Sequence, residues 1–179
     1  MPAEFEAKVL DIDMAAVAEL ITSLGGTRVR HGLLRRYVYD ITPGDQSRWI
    51  RLRDTGGTAT LTVKEITHDG IDGTYEVEVG VDDFDTTNEL LGKLGFSAKS
   101  YQENRRTSFV LDGARLEIDE WPLIPAYLEI EADSPEEVTK VAARLGFDEH
   151  QVTSENTIKI YQRYGIELLA YRHLAFDGR

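Results

Sequence analysis

Three short segments of this chain each carry two carboxylates at a spacing of two: Glu4 and Glu6, Glu76 and Glu78, Glu129 and Glu131. On a β-strand alternate side chains leave on opposite faces, so both members of a pair share a face. They then stand roughly 7 Å apart and repel unless something cationic lies between them. A divalent cation bound through oxygen, Mg²⁺ or Mn²⁺, would serve. The plainer alternative is a half-solvated strand with surface charges. Lys8 shares the face of Glu4 and Glu6. A basic set runs alongside at the same alternation: Arg51, Arg53, Lys64 and Arg106. Arginine offers a fork to phosphate oxygens and lysine a compact point charge. Acidic and basic sets together describe a metal-bound phosphate chain, where phosphoryl transfer needs neutralised oxygens and a positioned attacking oxygen.

Other chemistries find little support. There is no Gly-x-x-x-x-Gly-Lys loop and no Gly-x-Gly-x-x-Gly turn. His31, His68, His150 and His173 are scattered without ligand spacing, and no serine or threonine sits in a nucleophile motif. The absence of cysteine excludes disulfide and thiol chemistry and points to a cytoplasmic location. The net charge of -12 argues against nucleic acid or an anionic membrane as partner. The apolar runs are too short to span a bilayer, and the N-terminus enters a strand without a signal peptide.

The elements that must hold these side chains follow from period and punctuation. Residues 4–10 read as a strand, with Phe5, Ala7 and Val9 opposite the charges. Asp13 can cap a helix to about Leu24. Strands follow over 27–41, 48–53, 59–66 and the segment of Glu76 and Glu78. A helix capped by Asp85-Thr86 ends at Gly95. Strands over 100–110 and 115–119 flank an Asp112-Gly113 turn and precede the segment of Glu129 and Glu131. Ser134-Pro135-Glu136-Glu137 opens a third helix that ends at Gly146. Ser154 can cap a short helix over 155–164. The 179 residues, 41% of them hydrophobic, suit one domain. About eight strands in hairpin order make a mainly β, α+β chain. An antiparallel sheet of this size closes or curls, giving either a polar tunnel or an open sheet with its charged face in water; periodicity leaves both open. Trp49, Trp121 and the tyrosines read as packing rather than as a base-stacking site.

Glu4-x-Glu6-x-Lys8 at the N-terminus resembles the signature of the CYTH superfamily, the triphosphate tunnel metalloenzymes. These include class IV adenylyl cyclases, thiamine triphosphatases and inorganic tripolyphosphatases. The resemblance extends along nearly the whole chain, through Arg51-Leu52-Arg53, Lys64, Glu76 and Glu78, Arg106, Asp119, Glu129 and Glu131, and Lys159 before Tyr161. Arg35 also falls in order, with Arg36 beside it as a competing position. The resemblance implies one tunnel domain over residues 1–179, an eight-stranded antiparallel closed β-barrel with helices packed outside. It implies a metal-dependent triphosphatase acting on inorganic tripolyphosphate, a nucleoside triphosphate or thiamine triphosphate. An adenylyl cyclase and a non-catalytic nucleotide-binding tunnel are the alternatives.

On that resemblance Arg35, Arg51, Arg53, Lys64, Arg106 and Lys159 are expected to grip the triphosphate. Glu4, Glu6, Glu76, Glu78, Asp119, Glu129 and Glu131 are expected to hold metal. Lys8 is expected to activate the attacking group, as a base with a lowered pKa or else as a cation on the phosphates; the base role is the one carried forward. A small triphosphate molecule is the expected partner, with a homodimer left open.

Overall fold

The computed structural model describes residues 3–176. Eight strands build the body: β1 (Ala3–Val9), β2 (Thr27–Asp40), β3 (Arg48–Asp54), β4 (Ala59–Ile66), β5 (Thr74–Val81), β6 (Ala98–Leu111), β7 (Ala114–Glu120) and β8 (Tyr127–Ala132). Each pairs antiparallel with its neighbours in the order β6-β2-β3-β4-β5-β1-β8-β7, and β7 pairs back onto β6. The sheet is therefore a closed barrel, as the resemblance implies. Two strands of two residues each add to it: β9 (Val152–Thr153) beside β1, and β10 (His173–Leu174), parallel to β6.

The alternation read from sequence decides which face points inward. On β1, Glu4, Glu6 and Lys8 line the central cavity, while Ala7 and Val9 are buried on the outer side. Leu116 and Ile118 on β7 and Leu128 and Ile130 on β8 do the same. Most of the apolar core thus lies outside the barrel, between its wall and the helices. One cluster joins β1, β6, β7 and β8 to Val17 and Ile21 of α1 (Met14–Ser23) and to Val138, Val141 and Ala142 of α3 (Pro135–Arg144). A second sets Tyr39, Ile50 and Leu52 against Phe84 and Leu91 of α2 (Phe84–Lys93). A third gathers Trp121, Tyr127 and Leu168 around Ile160 and Tyr161 of α4 (Thr157–Arg163). Each of these large side chains, withdrawn from water, contributes about 1.5–3 kcal/mol.

The helix ends explain three Leu-Gly pairs, Leu24-Gly25, Leu94-Gly95 and Leu145-Gly146. Gly25 and Gly146 take φ of 94° and 83°, a left-handed turn that stops a helix and that a side chain would oppose. Two caps differ from expectation. Asp83, not Asp85, accepts from the Thr86 amide at 2.6 Å, because Phe84 must enter the helix to reach its buried place. Asn156, not Ser154, caps α4 by accepting from the Lys159 amide. Among the described residues no helix is long and apolar enough to cross a membrane.

Candidate active site

The lumen is a cavity of about 770 Å³ whose wall carries both signs of charge, sorted by strand. Four adjacent strands, β6, β2, β3 and β4, present Arg106, Arg36, Arg51, Arg53 and Lys64. The other four, β5, β1, β8 and β7, present Glu76, Glu78, Glu4, Glu6, Glu129, Glu131 and Glu117, with Lys8 and Arg115 among them. Like charges even meet as direct cross-strand partners: Arg36 with Arg53, Glu6 with Glu131, and Glu117 with Glu129. Such pairs destabilise a sheet unless something of opposite sign joins them.

Ion pairs along the lumen wall supply part of that compensation. The Lys8 amine lies 2.9 Å from Glu6 and 3.3 Å from Glu129. Lys64 lies 2.8 Å from Glu4 and 3.4 Å from Glu76. Arg51 reaches both Glu76 and Glu78, Arg53 reaches Glu78, Arg106 reaches Glu129 at 3.1 Å, and Arg115 pairs with Glu131. The compensation is incomplete. Burial first, then the charges of Arg51, Arg53 and Arg106, pulls the Arg36 guanidinium down to about 9. Burial and the neighbouring guanidiniums pull Arg53 down to about 10. Buried Nε atoms of Arg36, Arg51 and Arg53 have no hydrogen-bond partner among the described residues. On the opposite wall, burial pushes the Glu4 carboxyl up to about 7, with Glu76 and Glu6 adding and Lys64 opposing.

Most of the expected residues come together here, but four stand differently. Arg35 leaves on the outer face, where it pairs with Asp54 at 2.9 Å and lies over the Phe84 ring. Arg36, one residue on, holds the lumen position. Lys159 pairs with Asp69 outside the cavity lining, since its place on α4 turns it away. Asp119 is fully buried behind the wall; it receives both the Nε and a terminal nitrogen of Arg106 and the amide of Asn104, which leaves it positioning Arg106. Lys8 shows the reverse of the shift a base needs. Burial would lower its pKa, but Glu6 and Glu129 outweigh burial and hold the amine above the ordinary lysine range. Burial likewise would raise Glu129, yet Lys8, Arg106 and Lys64 hold it well below the ordinary carboxylate range.

Sequence reasoning set Arg36 second to Arg35 and passed over Glu117 and Arg115 as site residues. Glu117 and Arg115 have the strand parity of Asp119, and Arg36 stands in register with Arg53. Thr62, fully buried, also went unnoticed; its hydroxyl donates to Glu78 at 2.7 Å. Trp49 lines the cavity, cross-strand from Asp40 and Lys64, rather than packing in any apolar cluster.

The acidic half suits a divalent cation by chemistry. Its donors are carboxylate oxygens, hard ligands for Mg²⁺ or Mn²⁺, with no thiol or imidazole among them. Among the described residues no three such groups converge into a ready-made cage, because lysines and arginines draw them apart.

The sequence matches the CYTH domain over residues 3–160. Similar solved structures include the PH1012 protein of Pyrococcus horikoshii OT3, 25% identical, with a TM-score of 0.74 over 87% of this chain and 98% of that one. A Vibrio parahaemolyticus protein provisionally described as an adenylate cyclase is 14% identical, with a TM-score of 0.75 over 90% of this chain and 98% of that one. HpAC1 of Hippeastrum, named for adenylyl cyclase and described by a dominant triphosphatase activity, is 18% identical. It gives a TM-score of 0.62 over 96% of this chain and all (100%) of that one. No curated protein sequence matches significantly.

Proposed function

Because the chain belongs to the CYTH domain family, we propose that it is a divalent-metal-dependent enzyme that hydrolyses a triphosphate inside its barrel. The observation that supports this most is the sorting of charge around the lumen, with Arg36 set against Arg53 on one side and Glu6 against Glu131 on the other. A wall of clustered guanidiniums, three of them with an unpartnered Nε–H, calls for a polyanion. A facing wall of crowded carboxylates calls for a cation. A triphosphate carrying a divalent metal brings both.

On this reading Arg36, Arg51, Arg53, Lys64 and Arg106 hold the phosphate oxygens. Glu4, Glu6, Glu129 and Glu131, with Glu76 and Glu78, would hold Mg²⁺ or Mn²⁺. A bound metal supplies neutralisation of phosphate charge and a lowered pKa for the attacking water. The chain's own task is to fix the phosphates and to offer positive charge where negative charge grows as the bridging P–O bond breaks. The water oxygen forms the new bond to phosphorus, and its proton leaves to solvent or to a lumen carboxylate. Lys8 acts as a buried cation that sets the spacing of Glu6 and Glu129. The whole chain, residues 1–179, is taken as one such domain working in the cytoplasm.

Product analysis with Mg²⁺ or Mn²⁺ over tripolyphosphate, ATP and thiamine triphosphate tests the proposal. Released phosphate is the expected result. Cyclic AMP with pyrophosphate would make the enzyme a cyclase, and saturable binding without product would make the tunnel a binding module. Neither binding nor product with any of the three would sink the reading.

A further inference from the structure

Four of the five cations of the basic half have a carboxylate beside them. Arg51 and Arg53 meet Glu78, Lys64 meets Glu4, and Arg106 meets Asp119 and Glu129. Arg36 is the exception. Though buried, its guanidinium makes no ion pair among the described residues. It donates instead to the side-chain oxygen of Asn104 and lies 4.6 Å from the centre of the Trp121 ring. Its Nε has no partner among the described residues. Asp119 stands behind the amide, whose nitrogen donates to it at 2.8 Å.

Asn104 is fully buried on β6 and takes no part in the cavity wall, so it does not touch what the cavity holds. Its amide can stand only one way round. A guanidinium has no acceptor and an ionised carboxylate no donor, so oxygen must face Arg36 and nitrogen must face Asp119. An amide here does what a carboxylate would not. An aspartate in the same place would hold Arg36 by the same oxygen and also neutralise it. The amide fixes the guanidinium and leaves its positive charge unanswered. An anion reaching Arg51, Arg53 or Lys64 must share them with a carboxylate, whereas at Arg36 it meets no such competitor. A buried charge without a counter-ion is costly, and an arriving anion removes that cost.

We propose that Asn104 is a positioning residue of the tunnel: it holds Arg36 in place and, being neutral, keeps that charge free for the phosphate chain. Arg36 is then the cation that the substrate meets without displacing a carboxylate. The inference rests on the triphosphate reading given above.

The probe is whichever of tripolyphosphate, ATP and thiamine triphosphate the native protein turns over fastest with Mg²⁺ or Mn²⁺. Its kcat/KM is compared in the native protein, Asn104→Asp, Asn104→Leu, Arg36→Met and the double variant of Arg36→Met with Asn104→Leu. Asn104→Asp keeps the shape and the accepted hydrogen bond but adds a counter-ion, so kcat/KM should fall about 10-fold, the order of one contact to a charged group. Asn104→Leu leaves Arg36 unheld and should cost a similar factor. The double variant should stay within about twofold of Arg36→Met alone, because what Asn104 contributes passes through Arg36. A residue that merely supports the fold would add its own loss in the double variant. Additive losses, or native kcat/KM in Asn104→Asp, would overturn the inference and leave the triphosphate reading intact. Should Asn104→Leu fail to fold, Asn104→Ser takes its place in the cycle with the same expectations. No binding or turnover of any of the three compounds by the native protein counts against the triphosphate reading itself, and the inference falls with it.

Discussion

Arg36 on β2 and Arg53 on β3 stand directly opposite each other, and both side chains line the lumen. A barrel assembled for stability alone would not place a buried and a half-buried guanidinium as cross-strand partners. Removing one should therefore relieve repulsion while weakening the grip on substrate. Arg53→Met should leave the melting temperature of the ligand-free protein unchanged or raise it by a few degrees, equivalent to about 0.5–1 kcal/mol. The same variant should raise KM at least about 10-fold, and added tripolyphosphate should stabilise it less than the native protein. A melting temperature well below native together with native affinity would contradict this.

Arg35 and Arg36 are neighbours in sequence on opposite faces of one strand. Arg35→Ala should keep kcat/KM within about twofold, since its contacts, to Asp54, Asp85 and the Phe84 ring, all lie on the outer surface. Arg36→Met should cost about 10-fold or more. Steady-state kinetics on the two variants side by side decides the matter.

Metal dependence is tested by chelation and by paired removal of carboxylates. Excess chelator should abolish turnover, and Mg²⁺ or Mn²⁺ should restore it. Glu129→Gln combined with Glu131→Gln should lower kcat by several orders of magnitude with the fold retained, since one charged contact in a water-poor site is worth about 2.7–4 kcal/mol. Undiminished turnover in chelator would be decisive against it.

Lys8 is 2% exposed and holds two carboxylates. Lys8→Met leaves Glu6 and Glu129 without it, a change that costs several kcal/mol for a buried pair, about 3–5 in the upper range. The pH dependence has a definite sign. Glu129 is depressed in the folded state, so its contribution is fully present above the ordinary carboxylate value of 4.5 and fades as pH falls below it. Lys8 is raised, so its contribution is present below 10.5 and fades as pH rises beyond. Denaturation of the native protein and Lys8→Met should differ most between about pH 5 and 10 and converge in acid. Lys8→Arg should retain much of kcat; a loss of about 100-fold with binding intact would restore the base role.

Asp119 separates a positioning role from a ligand role. Asp119→Asn removes the charge that receives the Arg106 fork. KM for tripolyphosphate should rise and the protein should melt earlier, while the affinity for Mn²⁺, followed by calorimetry, stays within about threefold. A large loss of metal affinity would put Asp119 back among the ligands.

The barrel was legible because period-two alternation is simple. In strand after strand the charges share one parity and the aliphatic residues the other, as in Glu4, Glu6 and Lys8 against Phe5, Ala7 and Val9. Closure itself, from β7 onto β6, depended on the family resemblance, since an open sheet has the same alternation. Arg35 was misplaced because two adjacent arginines look alike until register with Arg53 fixes which one faces in. Asp119 has the right parity, but parity says nothing about depth, and it lies behind Arg106 rather than at the cavity. Lys159 stands on a helix, where a strand rule has no purchase. The missing counter-ion of Arg36 could not be seen from sequence at all, because it is defined by what fails to reach it.

Two apolar clusters sit outside the barrel, against α1, α2 and α3, the third borders the cavity through Trp121, Tyr127 and Leu168, and the lumen otherwise holds mostly charge. Scaffold and interior are thus written in different residues of the same strands, one parity each. A lumen side chain can be exchanged for another of similar size without opening a void among Leu52, Leu116 or Ile130. Such a chain can change its chemistry by drift at the inward positions while the outward ones keep the shape, which makes the tunnel an unusually permissive starting point for redesign toward other anions.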